Sequence, residues 1–412
     1  MHTVDHRTVP AFRRVPLVAT FVLCGLISGC GGKVPTWDEM TNQQPPPPPT
    51  VVHVAPNTPG ANPAPVAQAE DPAQTLAWFK SIPPNQMTDQ ALTRITSMKS
   101  RLDEVTAIDA RGSSVTDTGL ATLMKLPALK SLALDSTTVT DKGIASLQAV
   151  PSLQSLSLNS TRVTDAGLGP LALLPSLLRL ELMNCNLTPE AFVAIGRLPA
   201  LEVLILDRSR ELDDTGLDQI CNASTLKSLS LNECVGLTDK GLVSLAKAPG
   251  LEELRLNRSG ISGVGLGQAV AKGGLKSLKL LAISATPISL PGARAVNSIK
   301  TLESLDIGLI VGMNDVYFLE FVEGMKNLKD LNIEGARGIV GQSFAKIKVM
   351  SNSLETLNVK DSGVVDQGLG FLKGHKKLKF IDLSNTSVTL AGVQQFKKLV
   401  PTCEILYAGN RY

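Results

Sequence analysis

Aromatic residues make up only 4% of this 412-residue chain. Few side chains can therefore stack on bases or sugar rings, or act as large contact anchors. Histidine is rarer still. There are four, two of them within the first six residues, and His53 and His375 are the others. A His-based metal centre or a Ser-His-Asp arrangement is not expected from so few. The six cysteines show neither a disulfide framework nor a zinc-ligand spacing. An excess of one charge is also missing, with 40 Lys and Arg against 37 Asp and Glu. Residues 1–29 hold Arg7, Arg13, Arg14 and Asp5, so the rest of the chain is close to neutral. That balance argues against non-specific nucleic-acid binding. Two glycine clusters imitate nucleotide loops without their chemistry. Gly236 to Gly241 has the P-loop spacing, but Leu242 stands where the phosphate-binding Lys is required. Gly260, Gly263, Gly265 and Gly267 fall in register with a repeat described below. No cofactor is expected.

Long apolar runs are scarce as well. The mostly apolar stretch from Val15 to Ile27 follows Arg13 and Arg14 and is too short to span a bilayer comfortably. It has the shape of an export signal. It ends Leu26-Ile27-Ser28-Gly29-Cys30, which resembles the lipobox of bacterial lipoproteins. The resemblance implies cleavage before Cys30, lipid on that residue, and anchorage in a bacterial cell envelope on the periplasmic or surface side. Residues 30–74 then read as a proline-rich tether, with Pro45 to Pro49 in one run. Such a composition cannot bury a core and favours extended polyproline II. Residues 75–104 read as an N-terminal helical cap. Leu76, Trp78 and Phe79 open it, Pro83-Pro84 interrupts it, and Met87-Thr88-Asp89-Gln90-Ala91-Leu92 closes it.

What the chain has in abundance is repetition. Residues 129–152, LKSLALDSTTVTDKGIASLQAVPS, recur at once as LQSLSLNSTRVTDAGLGPLALLPS at 153–176. Leu129, Leu132 and Leu134 alternate with polar or small residues, as a half-buried strand does. Thr140 and Asp141 are helix N-cap types, Ile144 and Leu147 have helical spacing, and Pro151 ends the helix. One such unit cannot cover its own apolar face, so copies must stack. Strand slots begin at Val105, Leu129, Leu153, Leu177, Leu201, Leu226, Leu251, Leu278, Leu302, Leu328, Leu354 and Leu378, with a terminal strand at Thr402 to Tyr407. Residues 105–412 thus hold about twelve repeats.

The L-x-x-L-x-L skeleton followed by V-T-D-x-G-L resembles the leucine-rich repeat. The unit at 226, LKSLSLNECVGLTDKGLVSLA, is similar to the cysteine-containing subclass known from F-box proteins, and the shorter form resembles repeats of bacterial envelope lipoproteins. The resemblance implies an α/β fold, a right-handed horseshoe solenoid with a parallel sheet on the concave face and helices on the convex face. It also implies a non-enzymatic scaffold for a protein or peptide ligand. The alternative is a structural envelope component binding peptidoglycan or another cell-wall polysaccharide. A substrate-recognition subunit of the F-box type is remote, since no F-box precedes the repeats. The small slot three residues past each strand holds Ser113, Thr137, Thr161, Cys185, Ser209, Cys234, Ser259, Thr286, Ile310, Ala336, Ser362 and Thr386. Cys185 and Cys234 are therefore expected to be buried thiols bonding the turn of a neighbouring repeat.

Outward strand and strand-exit positions should line the ligand face. They are bland in the early repeats and charged in the middle: Arg179, Glu181, Asp207, Arg208, Glu233, Glu253, Arg255 and Arg258. The inward leucines already fill the core, so packing is not expected to need these eight. They are the candidate ligand-binding residues, because charge complementarity selects partners. His375, Lys376, Lys377, Lys379, Lys397 and Lys398 make the C-terminal end basic.

Overall fold

The computed structural model describes residues 71–412. The expected export signal, Cys30, His53 and the tether as far as residue 70 lie outside the described residues. The apolar alternation produces thirteen short parallel strands: β1 (Ala107–Asp109), β2 (Ser131–Ala133), β3 (Ser155–Ser157), β4 (Arg179–Glu181), β5 (Val203–Ile205), β6 (Ser228–Ser230), β7 (Glu253–Arg255), β8 (Leu280–Ala282), β9 (Ser304–Asp306), β10 (Asp330–Asn332), β11 (Thr356–Asn358), β12 (Phe380–Asp382) and β13 (Glu404–Tyr407). Their order in the sheet is their order in the chain. A central leucine or isoleucine of each strand faces in, and Leu132, Leu156, Leu180 and Leu204 form one in-register column. Between strands run short helices, several continuing as a 3₁₀ turn, as in Asp141–Ser146 followed by Leu147–Ala149.

Repeat is tied to repeat by polar side chains, and here the structure revises one reading. Thr140 does cap its own helix, accepting from the Lys142 N–H. Asp141 serves the next repeat instead. Its Oδ1 accepts from the Thr164 backbone N–H at 2.8 Å, and its Oδ2 from the Thr164 hydroxyl at 2.7 Å. The same latch joins Asp117 to Thr140, Asp214 to Thr238 and Asp366 to Thr389. The helix N-terminus welcomes the carboxylate, and the carboxylate accepts from a backbone N–H and a hydroxyl of the next repeat at once. The glycine of V-T-D-x-G-L follows from this. A Cβ on Gly143 would overlap Asp117 Oδ1, so the latch leaves room only for hydrogen.

The N-terminal cap uses the latch too. Asp89, on the helix Asp89–Thr96, binds the Thr116 N–H and hydroxyl of the first full repeat. Trp78, on the helix Pro72–Ser81, is half-buried beneath the Arg94 guanidinium, 4.2 Å from the ring centroid, a cation–π contact. At the other end an unanticipated two-residue strand, β14 (Asn410–Arg411), folds back antiparallel on β13. Ala408 and Gly409 both have positive φ (49° and 78°), as a tight hairpin turn demands. This hairpin covers an edge that would otherwise be open to pairing.

The repeat at 302 turns its aromatic residues inward. Phe318 and Phe321 are fully buried, and Phe318 meets Phe344 edge-on at 6.3 Å. The Tyr317 hydroxyl donates to the Ile288 carbonyl of the preceding repeat. Val311 is left 92% exposed. His375 departs from the expected basic surface. It is buried, with Nδ1 3.2 Å from the Leu372 carbonyl, and burial pushes its pKa down.

Candidate interaction site at the strand exits

Each of β1–β12 leaves the sheet through a turn whose second residue past the last inward apolar residue is left-handed. Ser136 (φ 56°), Ser160 (55°) and Asn184 (54°) hold this column early in the chain. In the three middle repeats it is held by Arg208 (62°), Glu233 (60°) and Arg258 (56°). Non-glycine residues adopt this conformation at some cost. Here the cost falls on three successive charged residues that expose their side chains. The Arg208 guanidinium lies 3.1 Å from the Glu233 carboxylate through Nε, and Arg258 Nη1 is 3.9 Å from the same carboxylate. One carboxylate thus stands between two cations. Together with Met183, Asp207, Asn232 and Asn257 they line an open hollow of about 380 Å³.

The floor of that hollow is a second polar ladder, one place before the left-handed column. Asp207 Oδ1 accepts from the Asn232 N–H at 2.9 Å and from the Ser230 hydroxyl at 2.7 Å, and Oδ2 accepts from Asn232 Nδ2. Asn232 Oδ1 in turn accepts from the Asn257 N–H, and Asn257 Oδ1 from the Ser284 N–H. The same rungs join Asp135 to Asn159 and Asn159 to Met183, where the ladder stops for want of a side-chain acceptor. The expectation that packing needs none of the eight candidates is therefore wrong for Asp207, which holds the strand exits in register. The signal was present as Asp or Asn directly after L-x-L, in Leu134-Asp135, Leu158-Asn159 and Leu231-Asn232. Its meaning depends on which N–H faces it across the repeat boundary.

The other four candidates sit on the open face of the sheet as two local pairs. Arg179 and Glu181, both on β4, meet at 2.7 Å, and Glu181 also accepts from Asn159 Nδ2. Glu253 and Arg255, both on β7, meet at 3.7 Å. Val203 and Ile205 on β5 and Ser228 and Ser230 on β6 separate the pairs. The eight residues therefore form a triad with Asp207 at the strand exits and two flanking pairs, not one interleaved patch. Further along, Asp306 is mostly buried, and that burial raises its pKa despite bonds from the Gly308 N–H and Asn332.

The small slot behaves in two ways. Thr137, Thr161, Ser259 and Thr386 donate to the carbonyl three residues earlier in their own repeat. Cys185, Cys234 and Thr286 reach the preceding repeat, donating to the carbonyls of Leu158, Leu206 and Leu256. Cys234 is buried, and desolvation pushes its thiol up to about 12. Cys185 is only half-buried, contrary to expectation. Both are free thiols. Among the described residues no group of three His, Cys, Asp or Glu side chains is placed to hold a metal ion.

This arrangement defines the chain as a leucine-rich repeat protein, an α/β solenoid with a continuous parallel sheet. The Leucine Rich repeat family model matches residues 151–172 and 222–246. An internalin (inlF) crystal structure from Listeria monocytogenes superposes with a TM-score of 0.55 at 18% identity, over 77% of this chain and 93% of that one. The plant peptide hormone receptor RGFR1, in complex with RGF2, gives a TM-score of 0.41 at 17% identity, over 75% of this chain and 48% of that one. Among curated proteins, Protein PAC2 of Saccharomyces cerevisiae is 26% identical over 170 residues, 39% of this chain. The chain spans about a third (33%) of the length of that relative.

Proposed function

We propose that this protein is a non-enzymatic, envelope-anchored scaffold that binds a protein or peptide ligand with its strand exits. The observation that carries the reading is the Arg208–Glu233–Arg258 row, three charged residues at left-handed backbone beside an open hollow. Exposed ion pairs add only about 0–1 kcal/mol each, so stability is a weak reason to place them there. Two guanidiniums sharing one carboxylate also leave a cation free to take a partner's acid, while Glu233 can take its base. The ladder beneath fixes their spacing, which is the preorganisation a recognition surface needs. Cys185 and Cys234 in the small slot support kinship with the cysteine-containing repeat form.

Reversal of Arg208, Arg255 and Arg258 to Glu should leave the melting temperature within a few degrees and abolish capture of the partner from an envelope extract. Reversal of Lys142 and Lys240, exposed on helices, should leave capture intact. If the helix changes abolish capture and the strand-exit changes do not, the ligand lies on the other side of the solenoid.

Anchorage rests on Leu26 to Cys30. Cys30→Ser should give an unprocessed or soluble product with no acyl mass. A mature wild-type N-terminus elsewhere, free of lipid, would remove the envelope anchor from this reading.

A further inference from the structure

The turn that leads into each strand carries a regularity of a different kind. Four residues before the strand, the first six repeats place Pro127, Pro151, Pro175, Pro199, Ser224 and Pro249. From the seventh to the eleventh strand-entry turn the same slot holds Lys276, Lys300 and Lys326, then Asn352, then Lys376. All eleven residues are exposed. Proline suits the slot because it ends the preceding helix and needs no N–H partner. Lysine brings no packing to replace that. The helix C-terminus behind it favours a cation, but the first six repeats have equivalent helix ends and use none in this slot.

Most acidic residues along this edge are already engaged; the exception is Glu323, exposed beside Lys300. Glu252, Glu303 and Glu355, each just before a strand, are held by Lys279, Lys329 and Lys379 at 2.6–2.7 Å. Lys276, Lys326, Lys376 and the adjacent Lys377 make no ion pair among the described residues. Lys300 turns to the Asn297 side chain and the Glu323 carbonyl. The result is a row of four lysines interrupted once, at Asn352, which covers about 20 Å from Lys276 to Lys376 at the ~4.8 Å spacing of neighbouring strands. Like charges so stacked repel one another, and an anion laid along them relieves that.

We propose that this strand-entry edge of the C-terminal repeats binds a linear polyanion, whose phosphates or carboxylates follow the lysine file. A file one residue wide matches a chain better than a membrane plane. This surface lies at the opposite ends of the strands from the Arg208–Glu233–Arg258 row, so it is a second contact independent of the first.

The test uses the full-length protein and two probes, inorganic polyphosphate and polygalacturonate, titrated from 50 to 200 mM salt. Wild type should bind at least one, with affinity falling steeply as salt rises. Lys276→Ser, Lys326→Ser, Lys376→Ser and Lys377→Ser combined should weaken binding about tenfold or more and flatten the salt dependence, with the thermal melt unchanged. The corresponding four Lys→Arg changes should retain binding. Which probe binds tells a phosphate polymer from a carboxylate one. Equal binding by the Ser variant and wild type, or no binding of either probe at 50 mM salt, overturns the proposal. So does capture by phosphatidylglycerol vesicles without binding of either soluble polymer, which would make the edge a membrane contact.

Discussion

Gly265→Ala should lower stability by about 1–3 kcal/mol, although alanine is the better helix former by about 1 kcal/mol. Gly265 lies in the helix Val264–Ala271, where propensity alone predicts a gain. Its backbone, however, is pressed against the preceding repeat. A Cβ there would overlap the Asp239 carbonyl oxygen and come within 2.9 Å of Leu242 Cβ. A backbone carbonyl cannot swing away as a side chain can, so the repeats must part or the helix must shift. Gly370→Ala supplies the contrast. Gly370 ends the helix Asp366–Gly370 with ordinary helical angles, and nothing lies within 4 Å of a Cβ placed on it. That change should be neutral or stabilising by up to about 1 kcal/mol. Urea titration of both variants measures the difference. If Gly265→Ala unfolds at or above the wild-type midpoint, the close approach does not limit stacking, and the glycine column needs another cause.

That contact illustrates what could and could not be read in advance. The strand slots, the direction of the sheet and the inward leucines were all legible, because each follows from alternation within one repeat and the need to stack. The glycine of V-T-D-x-G-L was legible as a pattern but not as a cause. At Gly143 and Gly265 its neighbour is an aspartate or a carbonyl of the residue 26 places earlier, and only the structure sets the two side by side. The same holds for Asp141 and Asp207. Each looks like a cap or a surface charge in its own repeat, and each bonds an N–H in the next. In the sequence His375 counts with Lys376 and Lys377 toward a basic C-terminal end, yet its ring is buried with Nδ1 against the Leu372 carbonyl. The eight candidate site residues lie at outward and strand-exit positions. Their division into a triad with Asp207 and two flanking pairs was not readable, since side-chain reach along a strand competes with reach across strands.

Asp239→Ala should be among the costliest latch mutations. Asp239 Oδ2 accepts from the Ser262 N–H at 2.9 Å and its hydroxyl at 2.7 Å, and Oδ1 accepts from the Gly265 N–H at 2.8 Å. The variant leaves two backbone donors of the next repeat without their acceptor, at about 1–3 kcal/mol each where water cannot enter. A loss of roughly 2–4 kcal/mol is expected at pH 7, and neighbouring repeats should loosen with it, since each repeat is stabilised by its neighbours. The loss should depend on pH. Burial raises the Asp239 pKa, but hydrogen bonds from Gly265, Ser262 and Gly263 outweigh it and hold the carboxyl below its usual range. A group depressed in the folded state stabilises fully above its unfolded value, about 3.9. That stabilisation disappears as pH falls through the lower, folded value. The gap between wild type and Asp239→Ala should therefore be constant from about pH 5 to 8 and narrow below about 4. Unfolding by urea at pH 7 and pH 3 tests this directly. A gap of equal size at both values would mean that the latch works through shape, and that the carboxylate charge contributes nothing.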